Sequence, residues 1–168
     1  GLQLRTVGDL ETFTWFGRGP HESYPDRKLA ADVGLYSGTV DEQWQEYVRW
    51  QENGNKEEVR WAALTGIDGR GLLFVAEGPL SVGVSRYDPR DVDDSRHENG
   101  ERRMFNPMPR LEETVVSLDY RHMGLGGASC GPRPLEKYIL QAHPVQWSVV
   151  LRPVRPGEDL RVRGRMRG

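Results

Sequence analysis

Apolar residues recur at every second position in several short stretches of this chain, and turns rich in glycine and proline separate them. A period of two places alternate side chains on opposite faces of an extended backbone, so these stretches predict strands with one buried face. Leu72, Phe74 and Ala76 share one face of LLFVAEG, as do Leu80, Val82 and Val84 in LSVGVSRY. Val59, Trp61 and Ala63 do so in EVRWAALTG; Val116, Leu118 and Tyr120 in ETVVSLDYR; and Trp147, Val149 and Leu151 in QWSVVLRPV. The segment IDGRG between the Trp61 and Phe74 stretches predicts a tight turn joining two strands. A further strand is expected from Phe13 to Phe16.

The 20 glycines and 11 prolines fall too often for long amphipathic helices, since each interior proline costs a helix about 3 kcal/mol. One short helix, capped by Asp91 in DVDDSRHE, is the best candidate. Lys28 to Lys56 carries large aromatics without a convincing period, and ordered irregular structure is expected there. Short strands between Gly and Pro turns predict an all-β antiparallel sandwich or barrel. Residues 1–155 read as one domain and residues 156–168 as a basic, solvated, frayed tail.

Charge narrows the partners. Lys plus Arg numbers 23 against 25 for Asp plus Glu, leaving no net basic field to draw the chain onto nucleic acid or anionic lipid. No apolar run approaches a membrane span, and GLQLRTVGDL lacks the pattern of a secretory leader. Cys130 is the only cysteine, which excludes an intramolecular disulfide and fits a reducing compartment. The expectation is a cytoplasmic protein with neither nucleic acid nor membrane as partner.

The residues offer few unpaired catalysts. Glu22 and Glu136 are the most motif-embedded carboxylates, but each sits beside a base, Arg27 or Lys137, and a structural ion pair is the expected role. His21, His97, His122 and His143 show no metal-ligand spacing, so no metal is expected on this chain. His122 or His143, with a carboxylate in a cleft, would suit acid–base work on a sugar hydroxyl, and a hydrogen-bonded structural histidine is the expected state. Of the five tryptophans, Trp61 and Trp147 read as core, while Trp44 and Trp50 remain candidates for an exposed aromatic patch. In HMGLGGASCGP, Gly124, Gly126, Gly127 and Gly131 follow directly after a strand. There is no lysine or following helix of a phosphate loop, which leaves a sharp corner or a ligand-facing edge.

Three motifs, WFGRGPHESYPDR (Trp15 to Arg27), QENGNKEEVRW (Gln51 to Trp61) and LDYRHMGLGGASCGP (Leu118 to Pro132), in this order, resemble the last domain of family-2 β-galactosidases. With the closing strand VQWSVVLRP the resemblance reaches about Arg155. It implies a supersandwich of the galactose-mutarotase kind whose first part precedes residue 1. It also implies a parent enzyme that cleaves terminal β-galactosides such as lactose with retention. In that family the catalytic glutamates and the magnesium site lie on an earlier barrel domain, so this chain has no catalytic residue and is expected to be inactive alone. The implied partners are the remaining domains of the parent, a galactoside at the rim, and further copies in a homo-oligomer. A tryptophan that follows the glycine loop in many members is replaced here by Cys130, which offers no flat stacking surface. The implied rim residues are His122, Gly127, Ser129, Cys130 and Gly131. Two other readings of the isolated chain are a carbohydrate-binding module and an aldose mutarotase-like enzyme.

Overall fold

Where the alternation is uninterrupted it passes directly into strands. The computed structural model describes residues 1–47, 51–92, 108–127 and 131–166. Among these are seven strands, β1 (Leu2–Thr6), β2 (Thr12–Gly19), β3 (Asp32–Thr39), β4 (Lys56–Thr65), β5 (Gly71–Ser85), β6 (Thr114–Asp119) and β7 (Val149–Val154), and one helix, α1 (Leu160–Arg165). All strands pair antiparallel in one sheet of order β1-β6-β5-β4-β2-β3, with β7 also on β5. The all-β antiparallel class is as expected, and side chains are buried on both faces of the sheet.

The expected strand–turn–strand unit is the β4–β5 hairpin, in register at Ala62 opposite Phe74 and Leu64 opposite Leu72. Its turn closes through Gly66 N–H to the Arg70 carbonyl at 2.8 Å, and Gly69 takes the φ of +76° that favours glycine. β5 is the axis of the sheet. Its Gly71–Ala76 half pairs with β7, and its Ser81–Ser85 half pairs with β6 on the same edge. Following β5 downward from Ser85, β6 and then β7 run alongside in one direction, so together they trace a single interrupted strand. Residues 120–148 leave and return at the interruption.

The larger core cluster holds Phe13, Trp15, Val40, Val59, Leu64, Phe74, Leu80, Val82, Val84, Val116 and Leu118 among its members. Phe13 and Trp15 stack at 4.8 Å between ring centroids, and the Trp15 indole donates to the Arg18 carbonyl at 2.9 Å. Such a pair adds about 1 kcal/mol to the stabilisation from burial alone. On the opposite face Trp61, Ala63, Leu73, Val75 and Val154 form a smaller cluster, with Val150 and Leu160 packed against it.

Several expectations change. Val59 does not share the face of Trp61 and Ala63; the register of β4 shifts on both sides of it, and Val59 joins the larger cluster. Within Lys28 to Lys56, residues 32–39 are a strand paired along β2, not irregular structure. Trp147 lies just before β7 and packs, partly buried, on the larger cluster. The basic terminal segment expected to fray instead forms α1 over residues 160–165, capped by the Asp159 carboxylate accepting Arg161 N–H at 2.8 Å. At Asp91 the chain makes a short 3-10 turn, Pro89–Asp91, capped by Asp88; the remainder of the expected helix lies outside the described residues.

Candidate functional site

The three sequence motifs are far apart in the chain, and the sheet brings them together. β2 delivers the first motif and β4 the second, and these two strands are neighbours. The loop after β2 folds back on the start of β4. Ser23 N–H donates to the Asn55 carbonyl at 2.8 Å, the Asn55 amide returns a bond to the Ser23 carbonyl at 2.9 Å, and Glu57 N–H donates to Ser23 Oγ at 2.9 Å. Glu57 accepts from Asn55 Nδ2 at 3.0 Å and from Ser81 Oγ at 2.5 Å. These groups are buried, so each bond meets a donor or acceptor that would otherwise cost about 1–3 kcal/mol.

Glu22 is buried at the centre of this junction and accepts from Arg27, from the Tyr47 hydroxyl and from Gly54 N–H, the last at 2.8 Å. The ion pair expected with Arg27 forms. Burial, reinforced by the charges of Glu52 and Glu22, pushes the Tyr24 hydroxyl well above the ordinary tyrosine range. Lys56, 2% exposed, stands 5.1 Å from the centroid of the Trp15 ring. Burial draws its ammonium down to about 8 against the opposing pull of Glu22. Glu58 adopts φ +55°, in the left-handed region, and is held by Lys28 at 2.8 Å and Arg18 at 3.1 Å.

The third motif follows β6 onto the same junction. The His122 ring meets Tyr24 edge-on at 5.3 Å, its Nε2 faces Glu52 at 3.7 Å, and its Nδ1 lies 2.7 Å from the Met123 carbonyl. Burial lowers the imidazole, but Glu52, the Met123 carbonyl and Asp119 outweigh it and raise His122 to about 9. The ring is therefore a cation at neutral pH. Beyond it the glycine loop is fastened at its neck: Gly124 N–H donates to the Tyr138 carbonyl at 2.9 Å and Gly127 N–H to the Pro132 carbonyl at 2.8 Å. A Cβ at Gly127 would sit 2.6 Å from Gly131 Cα, so the two arms pass at a distance only glycine allows. Asp26 accepts Leu125 N–H at 3.1 Å and Gly126 N–H at 2.7 Å.

Of the expected rim residues, Gly127 and Gly131 meet at this neck and His122 packs on Tyr24 beside Glu52, while Ser129 and Cys130 lie outside the described residues. Gly127 and Gly131 are exposed. Glu136 is exposed on a short 3-10 turn, Glu136–Tyr138, and His143 is exposed with Nδ1 2.7 Å from the Gln141 carbonyl. Trp44 is half-buried against Tyr87, with ring centroids 4.4 Å apart. Trp50 and His97 lie outside the described residues. Sequence reasoning did not single out Asp26, Glu52, Lys56 or Glu57. All four lie inside the first two motifs, so membership of a motif was the available signal. Among the described residues no group of three or more His, Cys, Asp or Glu side chains is placed to hold a metal ion, and no helix is long and apolar enough to cross a membrane.

Fold and site together define an all-β domain in which motifs from β2, β4 and β6 meet at the neck of a glycine loop. Residues 1–151 match the family model described as beta galactosidase small chain. The chain is 38% identical over 127 residues to a β-galactosidase of Priestia megaterium, covering 76% of this chain and 12% of that protein. It is 33% identical over 153 residues to a β-galactosidase of Vibrio cholerae, covering 90% and 14%, and 36% identical over 140 residues to one of Kluyveromyces lactis, covering 81% and 12%. The chain belongs to the beta galactosidase small chain family, and it spans about an eighth of the length of these relatives.

Proposed function

We propose that this chain is the non-catalytic sandwich module of a β-galactosidase, shaping the rim of an active site whose chemistry resides elsewhere in the polypeptide. Retaining glycoside hydrolysis requires two carboxyl groups roughly 5 Å apart, one protonated and one ionised, facing the sugar. The buried carboxylates described here face inward to structural donors instead. Glu22 is occupied by Arg27, Tyr47 and Gly54, and Glu57 by Asn55 and Ser81. The reading rests on one observation. A buried, cross-linked junction of all three motifs supports an exposed glycine loop, the arrangement in which a rigid scaffold presents a binding loop.

In this reading the remaining domains supply the catalytic glutamates, the substrate is a terminal β-galactoside such as lactose cleaved with retention, and the assembled enzyme is a cytoplasmic homo-oligomer. The magnesium expected in the parent belongs to those other domains, and no step on this chain runs through it. The small side chain of Cys130 replaces a stacking surface, so the leaving group is held by fewer apolar contacts.

The test uses the full-length enzyme carrying this chain, assayed on lactose and on an aryl β-galactoside. Cys130→Trp and Ser129→Ala should change the ratio of kcat/KM between the two substrates, with the isolated chain showing no turnover. Unchanged kinetics on both substrates would remove the rim role.

A further inference from the structure

We propose that Asp26 is a positioning residue for the rim loop, setting the backbone of Leu125 and Gly126 and so the preference of the enzyme for its leaving group. The inference rests on the rim reading above and adds to it the residue that holds the rim in place.

Asp26 and the loop are distant in sequence, and the carboxylate closes that distance with both oxygens. Oδ1 accepts Leu125 N–H at 3.1 Å and Oδ2 accepts Gly126 N–H at 2.7 Å. A carboxylate that accepts two consecutive amides fixes the orientation of the peptide plane between them, and charge-assisted bonds of this kind are about twice as strong as neutral ones. The loop is built for that approach. Gly126 has φ +62°, and a Cβ at Gly124 would stand 2.8 Å from the Asp26 carboxylate. A side chain at either position would oppose the contact.

Asp26 is itself held from both sides. Tyr24 and Arg27 exchange backbone hydrogen bonds at 3.1 and 2.9 Å around it, and the Arg27 guanidinium is tied to buried Glu22. A small cleft of about 180 Å³ opens at the contact, lined by Asp26, Arg27, Tyr47, Glu52, Leu125 and Gly126 among others. The other two fastenings, at Gly124 and Gly127, are made by carbonyls of the loop's own returning arm, Tyr138 and Pro132. Those bonds close the loop on itself; Asp26 and His122 relate it to the β2 and β4 motifs. Among the described residues, Asp26 is the one of the two that bonds Leu125 and Gly126 directly.

A glucose leaving group, unlike an activated aryl group, needs oriented contacts at the rim to assist its departure, so loss of positioning penalises lactose selectively. In the full-length enzyme, Asp26→Asn should lower kcat/KM for lactose about tenfold while changing the aryl galactoside much less. Asp26→Glu, which keeps the charge and moves it by one methylene, should fall between; it also serves as the second variant if Asp26→Asn does not fold. Combined with Cys130→Trp, the effects on the substrate ratio should be non-additive, because both act through one loop. A purely structural tie would lower the thermal midpoint and scale both substrates equally, and that result overturns the inference. A neutral Asp26→Asn beside a Cys130→Trp that alters the substrate ratio overturns it too, leaving the rim reading intact. If neither variant alters the ratio, both readings fall.

Discussion

The carboxylate of Glu22 accepts the backbone N–H of Gly54 at 2.8 Å across 32 residues, in a buried position. This bond joins the loop after β2 to the entry of β4, where Gly54 itself takes φ +80°. Removing the carboxylate strands a buried N–H and leaves Arg27 and Tyr47 without their shared acceptor. Glu22→Ala is expected to cost about 3 kcal/mol, and Glu22→Gln less because the amide oxygen still accepts from Gly54. Denaturant unfolding of the two variants checks this. Equal losses would place the stabilisation in the charge rather than in the Gly54 bond.

Two cations, buried Lys56 and partly buried His122, give stability pH dependences of opposite sign. Lys56 is lowered to about 8, so its ammonium is disfavoured in the folded state; the penalty is full below pH 8 and is relieved as pH rises towards the unfolded lysine value near 10.4. His122 is raised to about 9; its contribution is full below pH 6.5 and is lost as pH rises through 9. Lys56→Met should therefore stabilise the protein at pH 7 by about 1–3 kcal/mol, with the gain shrinking towards pH 10. His122→Asn should flatten the decline between pH 6.5 and 9. Thermal midpoints across that range decide both, and a Lys56→Met gain that is independent of pH would argue against desolvation as its source.

Gly164 lies within α1, where alanine ordinarily improves a helix by about 1 kcal/mol. Here a Cβ would enter the Trp61 ring at 2.5 Å. Overpacking of that kind costs about 1–3 kcal/mol and should win, so Gly164→Ala is expected to destabilise and to release α1 from the sheet. Calorimetry together with Trp61 fluorescence checks it; a stabilised variant would show that the helix sits further from Trp61 than the close approach indicates.

The parts of the fold that were legible in the sequence are those where alternation and pairing agree. Leu80, Val82 and Val84 alternate without interruption, and all three are core. β3 was missed because, among the described residues, it pairs only with β2 and it buries little: Val33 and Leu35 stay exposed, and no run of inward residues marks it. Val59 was placed on the wrong face because Glu58, at φ +55°, breaks the period, and nothing in the local sequence announces a left-handed glutamate. The basic residues of α1 hid a helix whose apolar contacts rest on Leu160 and on a glycine seated against an indole. In the site, Glu22–Arg27 was readable because the partners are five residues apart. The Asp26 contact joins positions 100 residues apart, and only the three-dimensional arrangement of β2, β4 and β6 reveals it.

The interrupted strand formed by β6 and β7 makes residues 120–148 a cassette with both feet on β5. Such a detour can lengthen, shorten or be exchanged in the course of descent while the hydrogen-bond ladder on either side keeps its place, since the entropy of closing a loop grows only slowly with its length. The neck held by Asp26, Gly124 and Gly127 is then the constrained part of this detour, and the exposed stretch 140–146 that returns to β7 is the part free to change length without disturbing the ladder.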